Sequence, residues 1–138
     1  ILVAIDESGS VSDKCYETLV QTLFSLKSVA DFFMVRFTEE VHKPAKAIKD
    51  KKDFYGFTRK YNGGTNFQAV VDFAEDEKYD FIIMLTDLCD YPPHKNSRIQ
   101  RVFVASFGSG SGQRWAQFYI EKFKAAKEIV IIAEEANK

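Results

Sequence analysis

The stretch Ile1-Leu2-Val3-Ala4-Ile5-Asp6-Glu7-Ser8-Gly9-Ser10 decides how the rest of the chain is read. Five apolar residues, three of them Ile or Val, end abruptly at two acids, two serines and a glycine. A short continuous apolar run closed by a turn is the pattern of a strand buried on both faces, as in a parallel sheet. The polar residues then stand at the strand's carboxyl end. A carboxylate and two hydroxyls, Asp6, Ser8 and Ser10, recur there at every second residue, with Gly9 allowing a tight bend between the serines. Asp and Ser are also ordinary helix caps, so this turn alone is equally well read as structural.

Working outward, Ser12 or Asp13 can cap a helix in which Leu19, Val20, Leu23, Phe24 and Leu26 recur at helical spacing. Phe32–Phe37 reads as a second strand. Val41–Ile48 carries Pro44, Lys43 and Lys46, with Lys49 just after it, which suits an edge strand protected from further pairing. Asp53–Tyr61 reads as an aromatic, polar loop with a short helical turn. Asn62-Gly63-Gly64-Thr65 is a strong turn signal, followed by a helix over Asn66–Glu75. Phe81–Leu85 is fully apolar, hence a central strand, and ends at Thr86-Asp87. Asp90-Tyr91-Pro92-Pro93 is loop, Val102–Ala105 a buried strand, Trp115–Ala126 a helix and Glu128–Ala133 a last strand. Gly108-Ser109-Gly110-Ser111-Gly112 has the composition of a flexible linker.

This order predicts an α/β fold: a doubly wound, mostly parallel open sheet with helices on both faces and one antiparallel edge strand. The 138 residues suit one domain with a core of its own, and the start within a strand suggests an excerpt of a larger protein. Hydrophobic residues make up 46% and charged residues 28%, as in ordinary globular proteins. A net charge of −1 argues against a general nucleic-acid or membrane field. No run reaches the roughly 18 apolar residues of a membrane span, and no leader pattern is visible. Two cysteines, Cys15 and Cys89, do not make a disulfide framework, and free thiols suit the cytoplasm.

In open α/β sheets, ligands bind beyond the carboxyl ends of the strands, where the strand order reverses. Asp6 and Asp87 both stand at such ends, and Thr65 opens a helix from a glycine turn. Together with Ser8 and Ser10 they offer two carboxylates and three hydroxyls, a hard oxygen set suited to Mg²⁺ or Mn²⁺.

Asp6-x-Ser8-x-Ser10, then Thr65, then Asp87 resembles the metal-ion-dependent adhesion site of von Willebrand factor A (VWA)-like domains. More narrowly, Asp6–Ser12, Gly63–Phe67 and Thr86-Asp87 with the following aromatic–Pro loop resemble bacterial and phage VWA-like domains found beside a metallopeptidase-like region. The resemblance implies a Rossmann-like fold and one divalent ion bound directly by Ser8 and Ser10. Thr65 would bind it directly or through water, and Asp6 and Asp87 partly through water. It also implies a partner that completes the coordination with an Asp or Glu carboxylate. An AAA-type ATPase or a metallopeptidase-like region is the partner class suggested. Glu7, Asn66, Leu88 and Tyr91 would form the rim. The chain departs from the pattern at Leu88, where relatives carry Gly, and at Asn66, where many carry Asp. Leu88 is expected to crowd the rim, and Glu7 to lie solvated beside the site.

Two other classes compete. Lys43–Lys60 holds seven Lys or Arg against two Asp, with Tyr55 and Phe57 interleaved and Tyr61 adjoining. Such mixtures bind single-stranded nucleic acid, and VWA-like domains also occur in Ro-type RNA-binding proteins. A metal-assisted hydrolase is the weaker alternative, because no general base is in place. His42 and His94 read as surface or loop residues, and Cys89 as an inert thiol near the rim.

Overall fold

The computed structural model describes residues 1–54, 57–93, 99–107 and 111–133. The elements are β1 (Leu2–Asp6), α1 (Asp13–Lys27), β2 (Phe32–Phe37), β3 (Val41–Ile48), a 3₁₀ turn (Lys51–Phe54), α2 (Phe67–Asp76), β4 (Phe81–Thr86), β5 (Gln100–Ala105), α3 (Ser111–Ala125) and β6 (Val130–Ile132). They build a six-stranded sheet in the order β3-β2-β1-β4-β5-β6. Five of the six strands are parallel, and β3 pairs antiparallel to β2 at the edge. The doubly wound sheet with one antiparallel edge is the architecture expected from the sequence.

Central β1 lies between β2 and β4, so the chain winds outward in both directions from it. All five of its residues are buried. Alternation divides them between two cores. Leu2 and Ala4 join Phe67, Val70, Val71, Phe103 and Phe123 on the face covered by α2 and α3. Val3 and Ile5 join Cys15, Leu19 and Leu23 on the face covered by α1. Ser12 caps α1 by accepting a hydrogen bond from the Cys15 amide (3.1 Å), and Asn66 caps α2 through the Ala69 amide (3.2 Å). No helix among the described residues is long and apolar enough to cross a membrane.

Most boundaries fall within two residues of expectation, and three places call for comment. Helix α3 begins at Ser111, four residues before Trp115, and takes in the last two residues of the linker-like segment. One glycine costs a helix only about 1 kcal/mol, which tertiary packing readily outweighs. Residues 108–110 of that segment lie outside the described residues. Strand β6 is confined to Val130–Ile132; among the described residues it pairs with β5 alone, in a register that runs from Phe103–Val130 to Ala105–Ile132. The 3₁₀ turn falls at Lys51–Phe54, straddling the start expected at Asp53 for the loop.

The ring of Phe67 meets those of Phe37, Phe103 and Phe123 at centroid distances of 5.8, 5.4 and 5.5 Å, each edge to face. Phe67→Ala should therefore cost about 3–5 kcal/mol in urea unfolding. Phe118→Ala, at a ring that is 55% exposed, should cost well under half of that. Equal losses would mean that this cluster does not anchor α2.

Candidate metal centre

Parallel pairing brings the carboxyl ends of β2, β1 and β4 to one edge of the sheet, with Asp6 in register with Phe37 and Ile5 with Leu85. Asp6 closes β1 and is fully buried. Its Oδ1 accepts from the Ser8 amide (2.9 Å) and from the Ser8 hydroxyl (2.5 Å). Its Oδ2 accepts from the Thr86 hydroxyl (2.6 Å), which itself accepts from the Leu88 amide (3.1 Å). Burial, and then the neighbouring charge of Asp87, push the Asp6 pKa up to about 6 despite these hydrogen bonds. Asp87 is also buried, and accepts from the Cys89 amide (3.0 Å).

Ser8 is buried, and its proton is committed to Asp6, so the oxygen keeps lone pairs for another partner. The Ser10 hydroxyl lies 3.3 Å from that of Ser8 and is exposed. Thr65 is half-buried in a loop tied to this turn by its backbone. The Gly9 amide donates to the Gly63 carbonyl (2.8 Å), and the Asn66 amide to the Thr38 carbonyl (3.0 Å). Gly63 has φ +151°, a conformation that only glycine adopts readily. The structure thus brings Asp6, Ser8 and Ser10 into a chain of contacts and sets Asp87 beside Asp6. Thr65 arrives through backbone contacts, and its hydroxyl makes no hydrogen bond among the described residues.

The chemistry of this donor set fits a small, hard dication. Every donor is oxygen, and the charge of Asp87 raises the cost of ionising buried Asp6. Among the described residues neither Asp6 nor Asp87 has an ion-pair partner. No group of three His, Cys, Asp or Glu occurs among those residues either, so hydroxyls are essential to any such site.

Four expectations about the surroundings need correction or refinement. Glu7 is not a solvated rim residue; it is fully buried. Successive strand residues point to opposite faces, and the Glu7 amide extends β1's pairing by donating to the Phe37 carbonyl (2.9 Å). Its carboxylate therefore faces away from Asp6. It accepts from Arg36 (2.5 Å), from Tyr16 Oη and from the amides of Lys60 (2.9 Å) and Tyr61 (3.1 Å). Leu88 does not crowd the rim: its side chain is fully buried in the core on the α2–α3 face, and its φ is +62°. That left-handed backbone explains why glycine suits this position. Asn66 is exposed and serves as the cap of α2. Tyr91 is 71% exposed, with the Lys122 ammonium 3.8 Å from its ring centroid.

Sequence reasoning missed Thr86, Arg36, Tyr16 and Glu39. Glu39 accepts from the Gly64 amide (2.8 Å), steadying the Thr65 loop. The available signal was polarity out of place: Arg36 interrupts the apolar run Phe32–Phe37. His42 is half-buried rather than a surface residue. It stacks on Tyr61 at 3.6 Å and hydrogen-bonds Thr38 (2.9 Å). His94 and Tyr55 lie outside the described residues. Phe57 packs under the Arg36 guanidinium at 4.3 Å, so it and Tyr61 are engaged within the protein. Cys15 and Cys89 are free thiols, each pushed up to about 12, chiefly by burial.

The strand order and the helices on both faces make a VWA-like fold. Residues 1–119 match the family described as VWA-like domain (DUF2201), and the chain belongs to that family. No curated protein matches it in sequence. Among solved structures, it is similar to an aerotolerance-related membrane protein from Bacteroides fragilis carrying multiple mutations to serine. That match has 14% identity and a TM-score of 0.63, covering 99% of this chain and 92% of that one. It is also similar to the conserved hypothetical protein BatB from Bacteroides thetaiotaomicron, with 14% identity, a TM-score of 0.62, and coverage of 99% and 90%. The SpRpn10 VWA domain matches at 9% identity with a TM-score of 0.53, covering 99% and 88%. At these identities the likeness is one of fold.

The Leu88 geometry gives a direct test. Leu88→Ala loses buried side chain and keeps the strained backbone, and should cost about 2–5 kcal/mol. Leu88→Gly loses the same packing but relieves a left-handed conformation that costs about 1–2 kcal/mol. In urea unfolding the glycine variant should be the more stable of the two. The reverse order would show that the left-handed turn carries no strain.

Proposed function

We propose that this VWA-like domain is a Mg²⁺- or Mn²⁺-dependent protein-binding module within a larger protein or complex. The observation that carries the reading is the buried Asp6–Asp87 pair, unneutralised among the described residues, with the Ser8 hydroxyl oriented by Asp6 and the Ser10 hydroxyl beside it. Ser8 and Ser10 would hold the ion through hydroxyl oxygens, and Thr65 directly or through water. Asp6 and Asp87 would act mainly by fixing Ser8 and ordering water. The bound ion would leave a coordination position for an Asp or Glu carboxylate of the partner. Exposed Tyr91 and Asn66 would flank that position, whereas buried Glu7 and Leu88 would not. VWA-like domains commonly mediate protein interactions, which supports the module reading over an enzyme. An AAA-type ATPase or a metallopeptidase-like region is the partner class to test first. The two free thiols support a reducing compartment such as the cytoplasm.

Mg²⁺ or Mn²⁺ should stabilise the native state by mass action, by about 2.7 kcal/mol when the free ion is at 100 times its Kd. Thermal unfolding in EDTA and in millimolar metal should differ accordingly, and Ser8→Ala should abolish most of the difference. Partner capture should vanish in EDTA, return with added metal, and weaken in Thr65→Ala without loss of fold. Capture that survives both EDTA and Thr65→Ala, but falls steeply with salt and with loss of Lys46, Lys49 and Lys52, would replace this reading with a nucleic-acid-type electrostatic one.

A further inference from the structure

A second polar network lies behind the candidate centre. The Arg59 side chain is 22% exposed and sits beneath the turn that carries Ser8 and Ser10. Its Nη1 donates to the Val11 carbonyl (2.6 Å), and its Nη2 to the carbonyls of Ser8 and Glu7 (3.3 Å for Glu7). Its Nε donates to the Tyr61 carbonyl (3.3 Å), and its guanidinium stands 5.5 Å from the Tyr16 ring centroid. Buried Glu7 completes the tie from the other side, accepting the amides of Lys60 and Tyr61 on one carboxylate oxygen. Arg36 spans the Glu7 carboxylate and the Thr58 carbonyl (2.7 Å). The segment Phe57–Tyr61 is thus fastened to the 7–11 turn by side chains reaching in both directions. Four residues further on is Thr65.

A planar fork gripping three carbonyls of one turn fixes that turn's peptide planes in a way a single ammonium does not. With the carbonyls of residues 7, 8 and 11 held on Arg59, the Ser8 amide and hydroxyl are left to Asp6 on the opposite side. We infer that Arg59 and Glu7 are positioning residues which lock the Ser8–Ser10 turn to the strap leading to Thr65, so that strap order and ion binding rise and fall together. This rests on the metal reading for its ion-binding half alone. Reciprocity then requires that the ion protect the strap, and that whatever displaces the strap weaken the ion.

The test uses Mn²⁺ itself, titrated by calorimetry well below each variant's melting temperature, beside amide exchange at Lys60 and Tyr61. Arg59→Ala should weaken Mn²⁺ by about 10–100-fold, the range for residues that orient metal ligands. It should also strip protection from the Lys60 and Tyr61 amides while those of β5 keep theirs. Arg59→Lys keeps the charge without the fork and should remain weakened; it carries the test if Arg59→Ala does not fold. Val71→Ala, a remote core change, should lower the melting temperature and leave Mn²⁺ affinity within about twofold, separating positioning from general stability. Added Mn²⁺ should slow exchange at Lys60 and Tyr61 in the parent chain. Parental affinity in Arg59→Lys, or an equal loss in Val71→Ala, would overturn the inference. A parent chain that binds no Mn²⁺ defeats the metal reading instead. The exchange data then decide the lock: unaltered protection of Lys60 and Tyr61 in the Arg59 variant overturns it, and loss confined to the strap and the 7–11 turn upholds it.

Discussion

The carboxylate of Asp6 is the constraint around which this end of the sheet is arranged. A buried, unpaired charge costs several kcal/mol, so it persists only where the protein surrounds it with donors. Here the donors come from two places in the chain, the Ser8 turn and the end of β4 through Thr86. Asp6 therefore staples the first strand to the fourth at their carboxyl ends, where the sheet's winding reverses. The orientation of Ser8 and the direction of the chain leaving β4 both follow from it.

Beyond β4 the chain must turn at once, because Asp87 is held by the Cys89 amide and the Leu88 amide by Thr86. Those two bonds set Leu88 in the left-handed region and turn its side chain down into the core. Core packing and site geometry are thus coupled through a single residue. The burial of Leu88 compensates for its backbone strain, while the same turn leaves Asp87 beside Asp6. A glycine there would relieve the strain but give up the anchor.

What the sequence made legible was whatever depends on local pattern. The apolar runs of β1 and β4, the helical spacing in α1 and α2, and the lysine- and proline-bearing edge strand all declare themselves within a few residues. The convergence of Asp6, Ser8, Ser10 and Asp87 follows from topology, which the strand order supplies. Glu7, Arg36, Tyr16 and Arg59 were not legible, because their pairing joins residues that are remote in sequence. Glu7 looked solvated because acids in turns generally are; Arg36 on the neighbouring strand, with Tyr16 and two backbone amides, makes its burial tolerable. Leu88 looked like a rim residue because position after Asp87 says nothing of φ. The start of α3 was hidden by glycine and serine, whose weak helix propensity yields to packing at Phe123 and Ile120.

Asp6 and Glu7 are adjacent acids, both completely buried, and the protein treats them oppositely. Glu7 receives a guanidinium, a phenol and two amides, a neutralised and saturated environment. Asp6 receives only neutral donors and has a second carboxylate as neighbour; burial, and then the charge of Asp87, raise its pKa against the pull of those donors. The fold places a cation against buried Glu7 and, among the described residues, none against Asp6 or Asp87. Arg36 reaches Glu7 from β2 on the α1 face of the sheet, and β1's alternation sends Asp6 to the other. The Ser10 hydroxyl, 3.3 Å from that of Ser8, belongs to an exposed residue. The asymmetry supports an exogenous cation as the missing counter-charge. It also fits the saturated network behind the turn: a site whose own charges repel holds its shape without a cation only if something else fixes the backbone. Glu7 and Arg59 supply that from the neutralised side.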